Sequence, residues 1–284
     1  MSSPRPRLSE SESKHQQVAR HIRNEIEAGV LRDGQVLPST RELAAQWDTS
    51  VFTISEAMKL LADEGLIESK SRSKRVVRNP NQARTSQIRL PKPHVILIGG
   101  YAGSGKTELG RVLARQTGWP MLDKDTLTRP VVEAALEVLG QSPHDRESET
   151  YLNVVRPREY EALSAAALEN VGCGNSAVVT APFIREFSDP AWISRTEASF
   201  ANLEAAVTLV WLYCDPDTMH TYLRRRGAAR DAFKLSDWPG YLATMDIDFR
   251  PAGPHITVEN CASSAPLQTQ AKELLDTVLR RGSA

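Results

Sequence analysis

The chain has 284 residues, 35 Lys/Arg balanced by 35 Asp/Glu, and 40% hydrophobic residues. That length accommodates two domains with sizeable cores, and a net charge of zero excludes a global field that would by itself select a charged partner. No apolar run approaches about 18 residues, no signal-type apolar stretch opens the chain, and Cys173, Cys214 and Cys261 are scattered without metal spacing, so the composition reads as a reduced, cytoplasmic protein with no membrane partner.

Charge is distributed unevenly. Residues 1–90 hold 15 Lys/Arg and 11 Asp/Glu, an excess of +4 that the remaining residues balance with −4. A modest positive front half fits a nucleic-acid-facing segment.

Residues 1–13 are rich in Ser, Pro and charge without periodicity and are expected to be a disordered tail. From Lys14, Val18, Ile22 and Ile26 recur at four-residue spacing and predict an amphipathic helix ending near Gly29. After a turn-rich connection, Ser39 or Thr40 can cap a short helix, RELAAQW. Ser50 can cap a longer one, VFTISEAMKLLADEG, with Ile54, Met58 and Leu61 on one face. The stretch LIESKSRSKRVVRN then places apolar ends around a basic middle, as a two-stranded wing would. Residues 79–93 are polar and interrupted by proline, and form the expected linker.

The second unit, residues 94–284, opens on VILIGGYAGSGKT. An apolar strand breaks at Gly99 and runs into G-x-x-x-x-G-K-[ST], followed by a helical pattern. Glycines at 100, 103 and 105 allow successive backbone N–H groups to turn toward phosphate oxygens. The helix start adds partial positive charge, Lys106 is placed for the outer phosphates, and the Thr107 hydroxyl is a Mg²⁺ ligand candidate. Gly100, Gly103, Ser104, Gly105, Lys106 and Thr107 are therefore the expected nucleotide cradle, with ATP or a related nucleotide and Mg²⁺ as cofactors. Downstream, PMLDKD, SAVVTAP, VTLVWLYC and HITVEN supply four more short apolar strands that alternate with helical patterns. This predicts an α/β fold, a doubly wound parallel sheet covered on both faces.

Helix, short helix, second helix and wing make residues 14–78 resemble the winged helix-turn-helix DNA-binding domain of the GntR family of bacterial regulators, on the stretches LRDGQVLPSTRELAAQW and TISEAMKLLADEGLIES. The resemblance implies that the helix from Ser50 to Glu64 enters the major groove of an operator and that Arg41 and the wing contact DNA backbone or minor groove. Val51 and Ser55 stand where the family usually has arginines, and the wing carries Lys70, Arg72, Lys74, Arg75 and Arg78 in place of its usual glycines. Binding is thus expected to shift toward the charged wing, with Thr49, Ser50, Thr53 and Ser55 as base-reading candidates. Regulators of this kind act on two half-sites, which implies a homodimer.

The unit from about Pro93 onward resembles P-loop kinases of small metabolites, the group of shikimate and gluconate kinases, chloramphenicol phosphotransferase and zeta toxins. By that resemblance Asp123 helps position Mg²⁺ and Asp125 accepts a proton from the attacking hydroxyl, while Arg224, Arg225, Arg226 and Arg230 lie in the arginine-bearing lid, Arg226 and Arg230 being favoured for phosphate. The same Asp123 is also placed to cap the following helix, and the arginines are also a common helix end. Residues 259–264 lie where this fold usually lines the adenine pocket, and Thr180 stands where an acidic residue usually ends the third strand. Arg129, Arg156, Arg158, Tyr160, Phe183 and Arg185 are candidates for an anionic small-molecule ligand. His220 and His255 lie in no catalytic pattern and read as structural. The expected function is a DNA-binding regulator whose kinase-like domain couples nucleotide to DNA. The alternative is an active small-molecule kinase with a regulatory DNA-binding domain.

Overall fold

The computed structural model describes residues 13–28, 30–31, 33–70, 74–78 and 92–282. The expected tail, apart from Ser13, most of the expected linker, and Arg72 lie outside the described residues.

The N-terminal helices are α1 (Lys14–Glu27), α2 (Thr40–Gln46) and α3 (Val51–Asp63). Ser39 caps α2 through a full capping box with Glu42, and the Ser50 hydroxyl accepts from the Thr53 N–H at the start of α3. Strands β1 (Ile67–Ser69) and β2 (Arg75–Val77) pair antiparallel to form the wing. The four-residue spacing on α1 and α3 produces the core directly: Val18, Ile22 and Ile26 pack with Leu43, Trp47, Ile54, Met58, Leu61 and Val77.

The second body is a five-stranded, wholly parallel sheet of β3 (His94–Gly99), β4 (Met121–Asp123), β5 (Ala177–Thr180), β6 (Ala206–Tyr213) and β7 (His255–Glu259), in the order β4-β5-β3-β6-β7. Its helices are α4 (Lys106–Thr117), α5 (Lys124–Val138), α6 (Arg156–Gly172), α7 (Ile184–Ser188), α8 (Pro190–Ala201), α9 (Pro216–Arg226), α10 (Ala232–Ser236), α11 (Trp238–Ala243) and α12 (Leu267–Gly282). Strand alternation splits the core into two layers. Val95, Leu97, Leu209 and Trp211 pack on one face with Leu163, Phe187 and Ile193. Ile96, Ile98, Val210 and Leu212 pack on the other with Leu109, Leu113 and Leu274. The winding places the strand β3 and its neighbours so that their C-terminal ends open at the order reversal between β3 and β6, the usual position of a ligand crevice in such sheets.

The sequence reading lacked α7, α10 and a π-helical turn at Tyr151–Val155 that leads into α6. These are one-turn pieces too short to carry a period; α7 is anchored by buried Phe187 and the π-helical turn by buried Tyr151 and Val155.

The two bodies meet through α1, which packs against α4 and α12, and Ala28 at its end joins the second layer of the sheet core. Among the described residues, no helix is long and apolar enough to cross a membrane.

His94, 2% exposed at the start of β3, bonds Thr208 through Nε2 at 2.8 Å, and burial pushes its pKa down to about 4. The unfolded chain therefore takes up the proton first, so the stability from neutral His94 is complete above about pH 6.5 and lost as pH falls toward 4. Urea unfolding at pH 7 and pH 4.5 should show a loss about 2 kcal/mol smaller in His94→Gln than in the parent chain. Equal losses would contradict this assignment.

Candidate functional site

The loop between β3 and α4 is shaped by two close approaches. Gly103 has φ +83° and a Cβ there would lie 2.8 Å from the Met219 carbonyl oxygen of α9; Gly105 has φ +96° and a Cβ would lie 2.3 Å from Asn260 Nδ2. Both conformation and space require glycine, and the loop is pinned between α9 and the turn after β7. Asn260 Nδ2 donates to the Ser104 carbonyl at 3.0 Å. The Ser104 hydroxyl is buried with no hydrogen-bond partner among the described residues, an unsatisfied polar atom inside an N–H-rich concavity. These features fit a phosphate group.

Lys106 starts α4 and donates from Nζ to the Tyr101 carbonyl at 2.7 Å. Enclosure, and after it the Arg226 charge, lower its pKa to about 8 against the opposing charges of Asp125 and Asp123.

Asp123 ends β4 and is the junction of the site. Its Oδ2 accepts from the Thr107 hydroxyl at 3.0 Å and the Thr180 hydroxyl at 2.7 Å. Its Oδ1 caps α5 by accepting from the Thr126 N–H at 2.9 Å. The capping alternative and the placement beside Thr107 are thus both realised by one carboxylate, one oxygen for each. The oxygen donors Thr107 and Asp123 suit a hard cation, and a Mg²⁺ ion generally takes few protein ligands and completes its shell with water and phosphate. Those two residues would hold it.

Asp125 is the second residue of α5, with Oδ1 3.0 Å from Lys124 Nζ. Lys124 is buried and also pairs with Glu159 at 2.7 Å, whose carboxylate accepts from Thr128 at 2.8 Å and Tyr151 at 2.6 Å. This network joins α5 to α6 beneath the site. A buried pair of this kind holds position more than it stabilises, because removing one partner strands the other.

A cavity of about 1370 Å³ runs over these groups. Lys106, Thr107, Asp123, Asp125 and Thr180 line it together, as do Gly103 and Gly105. Of the anion-site candidates, Arg129, Arg156, Tyr160 and Arg185 line it, with Arg156 2.8 Å from Glu186 and over the Tyr160 ring. Arg158 does not: it is exposed and paired with Glu161. Phe183 is turned into the aromatic core, at a left-handed φ of 49°. Arg146, Tyr151, Lys234 and Tyr241 line the cavity without having been singled out in the sequence, where nothing distinguishes them from surface and core residues of their own segments.

The lid arginines separate. Arg226 lines the cavity and is held in a two-bond pair by Asp231, at 2.8 and 2.7 Å. Arg224 is exposed. The backbone of Arg230 lies in a short 3-10 turn and its side chain is outside the described residues. Arg225 lines the cavity and bonds Glu25 and His21 of α1.

The cavity wall at this end belongs to the first body: His21, Glu25, Ala28, Val30, Leu31 and Gln35. Residues 259–264, expected at the adenine end, do not line the cavity. Arg20 of α1 covers that turn, donating to the Cys261 and Ser264 carbonyls at 3.0 and 3.1 Å. Glu108 of α4, also in the wall, has its pKa pushed up to about 7 by burial, against Arg111 and Arg20.

On the DNA-facing side, Arg41, Ser50, Lys70 and Lys74 are exposed and Thr49, Thr53, Ser55 and Arg75 are partly exposed. The Ser50 and Thr53 hydroxyls bond each other at 2.8 Å, and Arg75 donates to Thr40 at 2.7 Å, tying the wing to the start of α2. Two of the four expected base readers are therefore engaged in the helix cap. Arg78 pairs with Glu68 across the wing.

Comparison with known proteins agrees with both bodies. Residues 14–77 match the model of bacterial regulatory proteins of the gntR family, and residues 95–246 match a model described as an AAA domain. The chain belongs to this AAA domain family. It carries a GntR-type DNA-binding domain ahead of a P-loop kinase-like domain. It is similar to a shikimate kinase of Moorella thermoacetica, 33% identical over 104 residues, which is 36% of this chain and only 58% of that relative. A shikimate kinase of Symbiobacterium thermophilum is 28% identical over 191 residues, 66% of this chain and 97% of the relative. An uncharacterized HTH-type transcriptional regulator of Escherichia coli, YdcR, is 34% identical over 85 residues, 30% of this chain and 17% of the relative. Among solved structures, a gluconokinase from Sinorhizobium meliloti aligns over 69% of this chain and 95% of its own with a TM-score of 0.43 and 19% identity.

With the Lys106 pKa at about 8, phosphate affinity should be greatest below pH 8 and fall above it as the ammonium is lost; anion binding raises that pKa, so binding at pH 8.5 should take up a proton. Calorimetry of ATP binding in two buffers of different ionisation heat should show the uptake in the parent chain at pH 8.5 and not at pH 7, where the ammonium is already largely formed. No uptake in the parent would contradict the role of this lysine.

Proposed function

We propose that the chain is a transcription regulator in which Mg²⁺ and ATP, or a related nucleotide, bound by the kinase-like domain change the affinity of the GntR-type domain for its operator. The units are read as residues 14–78 and 94–284, acting as a homodimer in the cytoplasm. One observation carries the coupling: the cavity that contains the phosphate loop is walled at one end by α1 and the connection after it, through His21, Glu25 and Gln35.

In this reading Gly100, Gly103, Ser104, Gly105, Lys106 and Thr107 hold the phosphates, Thr107 and Asp123 hold Mg²⁺, and Arg226 and Arg230 meet phosphate charge. The nucleotide supplies a polyanion with a transferable phosphoryl group, and the metal neutralises part of its charge. A polyanion in this cavity competes with Glu25 for Arg225, so it favours an arrangement of α1 different from the one seen. Reciprocity then requires that DNA and nucleotide change each other's affinity by the same factor.

Asp125 supports a second reading, a kinase acting on a small, anionic hydroxyl compound. Asp125 lines the cavity with Lys106 and Arg129, in this reading it accepts the proton of a substrate hydroxyl, and the similar proteins include shikimate kinases.

DNA selected from a random pool by the full chain, titrated with and without a slowly hydrolysed ATP analogue and Mg²⁺, should change affinity by about five-fold or more, and by less in Glu25→Gln. Affinity unchanged by nucleotide that is shown to bind would end the coupling proposal. Phosphoryl transfer to small hydroxy acids that disappears in Asp125→Asn would establish the kinase reading in its place.

A further inference from the structure

The first turn of α3 presents an apolar pair to solvent: Phe52 is 73% exposed and Val51 48%. The rest of the helix obeys its period, with Ile54, Ala57, Met58 and Leu61 buried. Phe52 instead begins an outward stripe that continues through Glu56 to the exposed Lys59, at positions one and two turns on. The polar groups beside it are committed elsewhere, since the Ser50 and Thr53 hydroxyls bond each other at the cap. The same domain exposes the cationic side chains Arg41 on α2, Lys59 on α3, and Lys70 and Lys74 at the wing. The wing is tied to the start of α2 by Arg75 and Thr40.

We infer that Val51 and Phe52 are specificity-determining residues that read thymine through its C5-methyl group in the major groove. The inference rests on the DNA-binding reading of this domain. Those cationic side chains fit a polyanion, and on the floor of a major groove the thymine methyl is the apolar feature an aromatic ring can bury. A chain with no arginine on this turn lacks the usual bidentate partner for guanine, and with Ser50 and Thr53 engaged in the cap, methyl contacts from Val51 and Phe52 are a means of direct readout there. The preferred half-site therefore carries one or two thymines opposite the start of α3.

The test uses double-stranded DNA selected from a random pool by the full chain, in which each thymine is replaced in turn by deoxyuridine, removing only the methyl group. Replacement at one or two positions should weaken binding about four-fold per methyl. Phe52→Ala should bind the thymine site more weakly and no longer distinguish thymine from uracil at those positions, whereas Phe52→Leu should keep part of the discrimination. Phe52 is exposed, so both variants should retain the parent's thermal midpoint. Equal binding of thymine and uracil DNA by the parent at every position would overturn the inference. So would a Phe52→Ala variant that loses the same factor on both DNAs, the result of a backbone contact or a disturbed helix. If the parent selects no DNA, the DNA-binding reading fails first, and this inference with it.

Discussion

Helix α1 is bonded on two sides, and the arrangement of the molecule depends on that. Its apolar stripe, Val18, Ile22 and Ile26, holds the helices that face DNA. Its polar side reaches the other body, with Arg20 on the carbonyls of Cys261 and Ser264 and with Glu25 and His21 on Arg225 of α9. Under the proposed coupling, a displacement of α9, or of the turn after β7, would reach the DNA-binding core through this one helix. Those same two segments pin the phosphate loop: α9 lies against Gly103 and the turn lies against Gly105. The nucleotide cradle and the DNA-binding domain share their supports.

Such a contact is suited to regulation because it is partly buried and charged. Glu25 and Arg225 are largely withdrawn from water, with side-chain exposures of 10% and 20%. Charges in that setting are sensitive to a new neighbour, since losing a partner leaves an incompletely solvated ion. A triphosphate is a stronger partner for a guanidinium than a single carboxylate is. The chemistry beside it is compatible with catalysis as well as sensing. Asp123 unites Thr107, Thr180 and the start of α5, and Thr180 supplies a hydroxyl where an acid was expected. This leaves Asp123 as the carboxylate beside Thr107.

Much of the architecture was legible in the residues themselves. The continuous apolar run VILIG produced a strand buried on both faces, and the four-residue spacing of Val18, Ile22 and Ile26 produced a helix with one apolar side, because both signals are local. The phosphate loop was legible because its glycines are demanded by conformation. What could not be read was the joining of distant segments. Nothing in KHQQVARHIRNEIE marks Arg20 or Glu25 as different from any solvated helix surface, and only the fold brings Glu25 to Arg225. Likewise the sequence offers Ser50 both as a helix cap and as a base reader, and the fold commits it, together with Thr53, to the cap. Phe52 was overlooked for the opposite reason, since an aromatic residue beside a helix start is ordinarily assigned to the core.

The central claim is that occupancy of the phosphate loop alters the docking of α1, and amide hydrogen exchange of residues 14–27 measures it most directly. The full chain should exchange faster across α1 when a slowly hydrolysed ATP analogue and Mg²⁺ are added, and Lys106→Met should abolish the change together with nucleotide binding. Exchange across α1 that is identical with and without bound nucleotide, while the loop at residues 100–107 becomes protected, would contradict the account.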